Sequence, residues 1–244
     1  MSLSTQLTRL AQNVGALNAD TNAIFEALRA KGVNVPANAQ LSDVADMIEE
    51  IEVPTIVNIG GRDYPYVQIG NQLWIAENLD WKFSGCGIGN HTMTTSSSEA
   101  CYYNDDEATY GVNGNKYGLL YNWCAINYIE QNKSTMLPDG WRVPSINDYV
   151  VLTSFVGNDA SSLKATTWRG AFPGTDTYGM TLYPSGGYYG VFADLNDFCN
   201  LWTTSGNGSD AYYTMLGYDS NNIRYNSQTS KQNYMSLRIV KDVT

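Results

Sequence analysis

Few residues in this chain are of the types that do catalytic or metal chemistry. There is one histidine, His91, and the four cysteines are Cys86, Cys101, Cys124 and Cys199. A structural zinc site needs CxxC or CxxH spacing, and most catalytic triads need an imidazole beside a nucleophile. The zinc spacing does not occur, and a single histidine removes most triads and acid–base pairs, so we expect no enzyme activity, no metal site and no cofactor. We expect mostly buried thiols, with a Cys86–Cys101 disulfide as the alternative.

A dense set of Tyr, Asn, Ser and Asp lies between residues 205 and 236. Such residues are typical of antibody-like binding surfaces, because Tyr offers rigid amphipathic area and small polar residues adapt their hydrogen bonds. We therefore predict a ligand-binding surface here. Its candidate residues are Asn207, Ser209, Asp210, Tyr212, Tyr218, Asp219, Asn222, Arg224, Tyr225, Asn226 and Tyr234. The competing interpretation is a polar meander that binds nothing, since loops are commonly built from the same residues.

Apolar residues alternate with this polar set and are suited to the inward face of strands. This framework comprises Trp202, Ala211, Tyr213, Met215, Ile223, Leu237, Ile239 and Val240. The pattern predicts that framework and binding residues occupy separate positions of the same strands.

The overall charge of the chain disfavours several classes of partner. Its net charge is −10 and its pI is about 4.4, which would repel the phosphates of a nucleic acid. No run of about 18 apolar residues occurs, and the amino terminus lacks a basic stretch followed by an apolar one. We expect no nucleic-acid partner, no membrane insertion and no signal peptide.

The amino-terminal residues 1–52 are predicted to be a helical oligomerisation region. Residues separated alternately by four and three positions form a coiled-coil stripe over residues 3–28, which favours a homo-oligomer, with a trimer favoured over a dimer. The stripe is Leu3, Leu7, Leu10, Val14, Leu17, Thr21, Ile24 and Leu28. This helix should end near residue 31, and a second one, capped by Ser42, should follow before Pro54. The alternative is a helical hairpin that packs within its own chain.

From residue 55 onward the pattern changes to short β-prone runs separated by Gly, Asn, Asp and Pro, which indicates one α+β domain over 55–244. The predicted strands include TIVNI, YVQI, QLWIA and GMTLY. Helices are predicted at YGLLYNWCAIN and at SINDYVVLTSFVG, the second beginning at Ser145. Four tryptophans, Trp74, Trp123, Trp141 and Trp202, are predicted to pack in the core. Arg142 is predicted to be structural, bonding backbone carbonyls.

Several segments, taken in order, resemble the Fibrobacter major-paralogous (FISUMP) domain. They are VQIGNQLWIAENLDW (67–81), GNKYGLLYNWCAIN (114–127), LPDGWRVPSINDYVVL (137–152), YGMTLYPSGGYYG (178–190), LWTTS (201–205), AYYTML (211–216) and SLRIVKD (236–242). The resemblance implies a C-type-lectin-like fold that is shared with formylglycine-generating enzymes. The same composition also resembles the variable proteins of diversity-generating retroelements, whose surface residues are rewritten through adenine-directed mutation of asparagine codons.

These resemblances imply a display protein that recognises a host-surface protein or a glycan. A helical oligomerisation region joined to such a domain, without a signal peptide, resembles phage tail or fibre proteins, so we expect the protein in a phage virion. One alternative is a virion structural protein without a receptor. The other is an oxidase of the formylglycine-generating type, which would need paired carboxyl-terminal cysteines, whereas Cys199 is the only cysteine after residue 124.

The acidic run Asp105, Asp106 and Glu107 is open to two interpretations, a contribution to a calcium site or simple solvation of a loop. Sugar-binding C-type lectins hold calcium through Glu-Pro-Asn or Gln-Pro-Asp together with Trp-Asn-Asp, and this chain has Trp202-Thr203-Thr204 instead. The sequence therefore does not favour calcium-dependent sugar binding.

Overall fold

The protein divides into two compact units, residues 1–54 and 55–244. The computed structural model describes residues 18–26, 28–29, 35–44, 55–111 and 117–243. Among these residues, none of the helices has the length and apolar character needed to cross a bilayer.

In the first unit, helix occupies 18–26 and 28–29, and Phe25 and Leu28 are buried with Val35. Ile24, a member of the predicted coiled-coil stripe, is 37% exposed, because Phe25 takes the inward position beside Leu28. Most of the stripe, and the predicted helix end near residue 31, lie outside the described residues.

The predicted second helix begins differently from the sequence-based expectation. A 3-10 turn spans Leu41–Asp43, and Gln40, not Ser42, precedes it as the cap. The reason is that the Asp43 carboxylate accepts the backbone N–H of Gln40 at 2.9 Å. The remainder of this predicted helix, 45–54, lies outside the described residues.

The second unit contains two sheets. The smaller sheet is antiparallel and has five strands, in the order β1 (Ile56–Ile59), β2 (Arg62–Ile69), β3 (Gln72–Ile75), β14 (Val240–Asp242) and β7 (Trp141–Arg142). The carboxyl-terminal strand β14 therefore lies between two earlier strands. This position joins the two earlier strands into one sheet, since Val240 pairs with both Trp74 of β3 and Arg142 of β7.

The larger sheet has nine strands. Eight follow the order β12 (Arg224–Ser230), β11 (Asp210–Gly217), β10 (Phe198–Asn207), β8 (Ser185–Tyr188), β13 (Tyr234–Met235), β6 (Leu120–Asn122), β5 (Glu99–Cys101) and β4 (Gly87–Ile88), and β9 (Phe192–Leu195) pairs with β8. The β10–β8 and β4–β5 pairs are parallel, and the other pairs are antiparallel. Strand β12 is an edge strand.

Three of the four predicted strands are confirmed, as parts of β1, β2 and β3. The prediction for GMTLY is wrong, because this segment forms only a single bridge, between Lys164 and Leu182. Thr181 adopts a left-handed conformation with φ 49°, and both its backbone N–H and its hydroxyl donate to Asp176. This local bonding replaces the extended backbone of a strand.

The helices of the second unit are α1 (Glu107–Tyr110), α2 (Trp123–Gln131), α3 (Lys133–Met136) and α4 (Ile146–Phe155). Helix α4 begins as predicted, with Ser145 as its cap and the Asp148 carboxylate accepting the Ser145 N–H at 2.7 Å. Helix α2 begins later than predicted. Strand β6 occupies Leu120–Asn122, and the Asn122 side chain then caps the helix by accepting the Ala125 N–H at 3.0 Å.

Among the described residues of this unit lie two large hydrophobic cores and a smaller third cluster of Cys101, Tyr103, Leu120 and Tyr234. The first core includes Trp141 and Trp202 and packs against α2, and the second core includes Trp74 and the α4 residues Tyr149 and Leu152. These three tryptophans are buried as predicted. Trp123 is only half-buried, at the border of the first core. The structural role predicted for Arg142 is confirmed, although its partners are carboxylates, Asp148 and Asp242, and not carbonyls.

A fully buried arginine connects the separate segments of the domain. The Arg238 guanidinium donates to the backbone oxygens of Ile75, Met180 and Thr181 and to the side-chain oxygen of Asn78, all within 2.7–2.9 Å. Burial lowers the pKa of Arg238 to about 10. Four acceptors from distant segments thus depend on one side chain.

We predict that Arg238→Met lowers the free energy of unfolding by about 3 kcal/mol or more, because it leaves four buried acceptors without their charged donor. Urea unfolding measures the change. The matched control is Arg169→Met at an exposed position, which should change stability by no more than about 0.5 kcal/mol. Equal stability of Arg238→Met and the unmodified protein would contradict the role assigned to Arg238.

Candidate ligand-binding surface

Most of the predicted binding residues lie on the meander of β10, β11 and β12. These strands are antiparallel neighbours, and the register places Trp202 opposite Tyr213 and Tyr212 opposite Gln228. Directly opposed residues share a face of a sheet, and successive residues point to opposite faces. Tyr213 therefore lies on the same face of the sheet as Trp202 and packs against the first core. Tyr212 and Gln228 lie on the opposite face.

The first group of candidates, the turn cluster, comprises Asn207, Ser209 and Asp210, where β10 turns into β11. Asn207 and Ser209 are exposed and Asp210 is half-buried. Gly208 has φ 57°, a left-handed conformation that glycine adopts without strain. The backbone is fixed by the Lys231 N–H, which donates to the Ser209 oxygen at 3.0 Å.

The second group, the loop cluster, comprises Tyr218, Asp219, Asn222 and Arg224, around the loop that joins β11 to β12. Tyr218, Asp219 and Asn222 are exposed, Tyr218 to 42%, and Arg224 is half-buried. Arg224 pairs with Asp219 at 3.3 Å. Both side chains of this pair reach solvent, so the pair is worth little to stability.

The loop cluster is carried by a backbone that other residues hold in place. The ammonium of Lys164, fully buried, donates to the carbonyls of Phe172, Gly217 and Ser220 at 2.8–3.1 Å. Asn221 adds bonds to Ser161 and Asp159. These contacts hold the loop backbone from beneath, and the exposed side chains add a hydrogen bond from Asn158 to Asn222 and a ring contact between Tyr218 and Phe198.

The remaining candidates lie along the strands between the two clusters. Asn226 is exposed, and Tyr212 and Tyr225 are half-buried. Tyr225 packs against the second core, which gives it a framework role in addition to any role in binding.

One candidate, Tyr234, does not belong to the surface, and its assignment from sequence is wrong. It is fully buried in β13, and its hydroxyl donates to the Glu99 carboxylate. Burial opposes the Glu99 charge, yet hydrogen bonds from Thr92, Tyr234 and Ser97 lower the pKa of this carboxyl. Tyr234 therefore stabilises a buried acid. Its place among polar neighbours in the sequence concealed this role.

The turn and loop clusters lie at opposite ends of β11. This strand has eight residues, and at about 3.3 Å per residue the clusters are separated by roughly 25 Å. A single small ligand therefore does not contact both clusters, whereas a macromolecular surface spans that distance.

The family model of the Fibrobacter succinogenes major domain matches residues 67–241, most of the 244-residue chain. The chain belongs to this family. No curated protein and no solved structure is detectably similar to the chain. The family's match covers the second core, the buried Arg238, the whole meander and the first core apart from Val57, Ile59 and Tyr64.

In this member of the Fibrobacter succinogenes major domain family, all four cysteines are free, so the alternative Cys86–Cys101 disulfide is not formed. Cys101 and Cys199 are buried, whereas Cys86 and Cys124 are half-buried, so burial holds for only two of the four. Burial raises the pKa of both the Cys86 and the Cys199 thiols to about 12. These thiols are poor nucleophiles at neutral pH, because the thiolate is the reactive form.

The acidic run has structural partners. Asp106 caps α1 by accepting the Thr109 N–H at 3.0 Å, and Glu107 pairs with Lys82 at 2.6 Å. Asp105 lies 3.0 Å from the imidazole of His91. Within the described ranges, no three His, Cys, Asp or Glu side chains come together as a metal site.

Sequence reasoning missed two residues beside the turn cluster, Trp123 and Lys231. The Lys231 ammonium lies 4.4 Å from the centre of the Trp123 ring and donates to the Gly208 oxygen at 2.6 Å. The Trp123 indole N–H donates to the Thr203 oxygen. The available signal was that Lys231 and Arg224 are the only cations between residues 205 and 236. The tryptophan is far away in sequence.

We predict that the stability contributed through Lys164 depends on pH. Burial lowers its pKa in the folded state to about 8, and the unfolded value is about 10.4. Between these values the unfolded state binds more protons, so the free energy of unfolding should rise as the pH increases from about 8 to about 10.4. Urea unfolding of the unmodified protein and of Lys164→Met over this range isolates the contribution.

The rise should be absent from Lys164→Met, so the difference in stability between the two proteins should grow with pH. Lys164→Arg is the matched control, since arginine keeps donors and charge throughout the range and should also lack the rise. Identical pH profiles for all three proteins would show that Lys164 is not the titrating group.

Proposed function

We propose that this protein is a ligand-binding display protein that recognises a surface protein or glycan of a host cell. The observation that carries the proposal is the separation between framework and exposed residues on the meander. Trp202, Ala211 and Ile223 are buried, while polar side chains of the turn and loop clusters face solvent.

The exposed residues contribute little to holding the fold. The side chains of Asn207 and Asn226 make no hydrogen bond to any residue that the structure describes, and Ser209 bonds only its neighbour Asp210. The backbone of the turn cluster is held by the Lys231 N–H, and that of the loop cluster by the Lys164 ammonium. Side chains can therefore change here without loss of the fold, as a surface selected for recognition requires.

Chemistry also favours recognition of a large partner. Tyr and Asn supply rigid contact area and adaptable hydrogen bonds, and the distance between the clusters suits a surface and not a small metabolite. The two-sheet α+β domain and its family membership support a C-type-lectin-like fold, which remains part of the proposal.

We further propose that a retroelement diversifies the exposed positions, and that the protein is carried on a phage tail or fibre. The Asn-rich composition motivates the first idea. In the second, self-association through residues 3–28, with a trimer favoured, makes later binding events intramolecular and so raises the avidity of weak contacts.

The oxidase alternative receives no support from the geometry. Its chemistry would need a reactive carboxyl-terminal cysteine, and the Cys199 thiol is enclosed in the second core with a raised pKa. The alternative of a virion structural protein without a receptor predicts the absence of cell binding, which the following experiment measures.

We predict that the fluorescently labelled full chain binds cells of at least one strain in a panel of diverse bacteria, as measured by flow cytometry. The triple variant Tyr218→Ala, Asp219→Ala and Asn226→Ala should weaken binding by about tenfold or more, because it removes exposed contact residues. A matched control changes two exposed residues of α3, Ser134→Ala and Thr135→Ala, and should bind normally. Failure to bind any strain would favour the structural alternative.

Sequencing of the gene across a natural population tests diversification separately. Substitutions should concentrate at the codons for the turn cluster, the loop cluster and Asn226, while those for Trp202, Met215 and Leu237 stay fixed. Because Tyr234 is buried, its codon should also stay fixed. An even distribution of substitutions, or a genome with neither a reverse transcriptase nor an imperfect repeat of this segment nearby, would remove the retroelement from the proposal.

A further inference from the structure

A cleft of about 460 Å³ adjoins the turn cluster, between the start of α2 and the ends of β11 and β12. Its volume lies within the range of ordinary small-ligand pockets. In its wall the Lys231 ammonium lies over the Trp123 ring. The other lining residues are Thr95, Cys124, Asn127, Gly208, Ser209, Ser230 and Gln232.

The charge of the cleft is opposite to that of the protein. The chain carries a net charge of −10, yet Lys231 is the one charged residue among the described residues that line the cleft. Its ammonium has three donors and gives one to the Gly208 oxygen, which leaves donors for a ligand. A site with one cation and no lining carboxylate favours an anionic group.

The remaining polar groups are neutral and both donate and accept. Among the described residues, no hydrogen-bond partner holds the side-chain amide of Asn127 or Gln232, and Ser209 and Ser230 add hydroxyls. Such groups match sugar hydroxyls, each of which also donates and accepts. Trp123 is the only large apolar side chain among the described residues of the lining, and a flat ring suits the C–H face of a sugar better than a flexible aliphatic chain.

We propose that this cleft binds a saccharide that carries a carboxylate, with Lys231 pairing the carboxylate and Asn127 and Gln232 binding hydroxyls. The inference rests on the proposed function and specifies a ligand class for the end of the surface near the turn cluster. The loop cluster, at the far end of β11, takes no part in it.

Methyl β-D-glucuronide tests the proposal, with methyl β-D-glucoside as the neutral match and sodium acetate as a carboxylate without a sugar. Amide chemical shifts of the full chain locate binding, and titration calorimetry measures affinity. The glucuronide should shift residues lining the cleft and bind about tenfold more tightly than either comparison compound.

Lys231→Gln should abolish the preference for glucuronide over glucoside, and Lys231→Arg should keep it. The matched control is Lys241→Gln, since Lys241 also donates to a backbone carbonyl, that of Asp139, at a different place. A folded Lys231→Gln protein is recognised by unshifted amide signals from the two cores.

Three results would overturn the inference: no shifts at the cleft, equal affinity for the glucoside, or equal affinity for acetate. Each differs from failure of the proposed function. If cell binding is lost in the triple variant of Tyr218, Asp219 and Asn226 but the glucuronide does not bind, the display function stands and the acidic-sugar site falls.

Discussion

The buried guanidinium of Arg238 is the interaction on which the rest of the domain depends. It satisfies oxygens from the end of β3, from Asn78 and from the segment at Met180 and Thr181, while its own strand of chain continues into β14. A charge without water is costly unless its donors are paired, so these segments adopt one arrangement around it. The pairing of β14 with β3 in the five-stranded sheet follows from that arrangement.

A second buried cation, Lys164, does for the loop cluster what Arg238 does for the domain. Three carbonyls converge on its ammonium, so the loop conformation is determined from beneath. The solvent-facing side chains of Tyr218 and Asn222 then add only one ring contact, with Phe198, and one hydrogen bond, from Asn158. This division of roles allows a surface to change its specificity while its backbone remains constant.

The predicted loss of stability in Arg238→Met and the predicted tolerance of changes on the surface come from the same principle, that buried polar contacts determine the fold. Sequence reasoning recovered the parts that depend on local patterns. The strands β1 to β3 and the start of α4 at Ser145 were readable, because alternation and capping act over a few residues. The left-handed conformation of Thr181 and the helix cap at Asn122 were not predicted, because each depends on a side-chain hydrogen bond that the pattern of residues does not show.

The sequence by itself determined the α+β class, the family resemblance, the polar character of residues 205–236 and most of the exposed candidates, since composition and periodicity are local properties. Only the tertiary structure decided that Tyr234 is buried against Glu99, that the candidates form two clusters, and that Trp123 meets Lys231 in a cleft. These facts depend on which distant segments become neighbours. Burial is a property of the packed chain. The sequence around Tyr234 is therefore equally consistent with a tyrosine that faces solvent and with one that bonds a buried carboxylate.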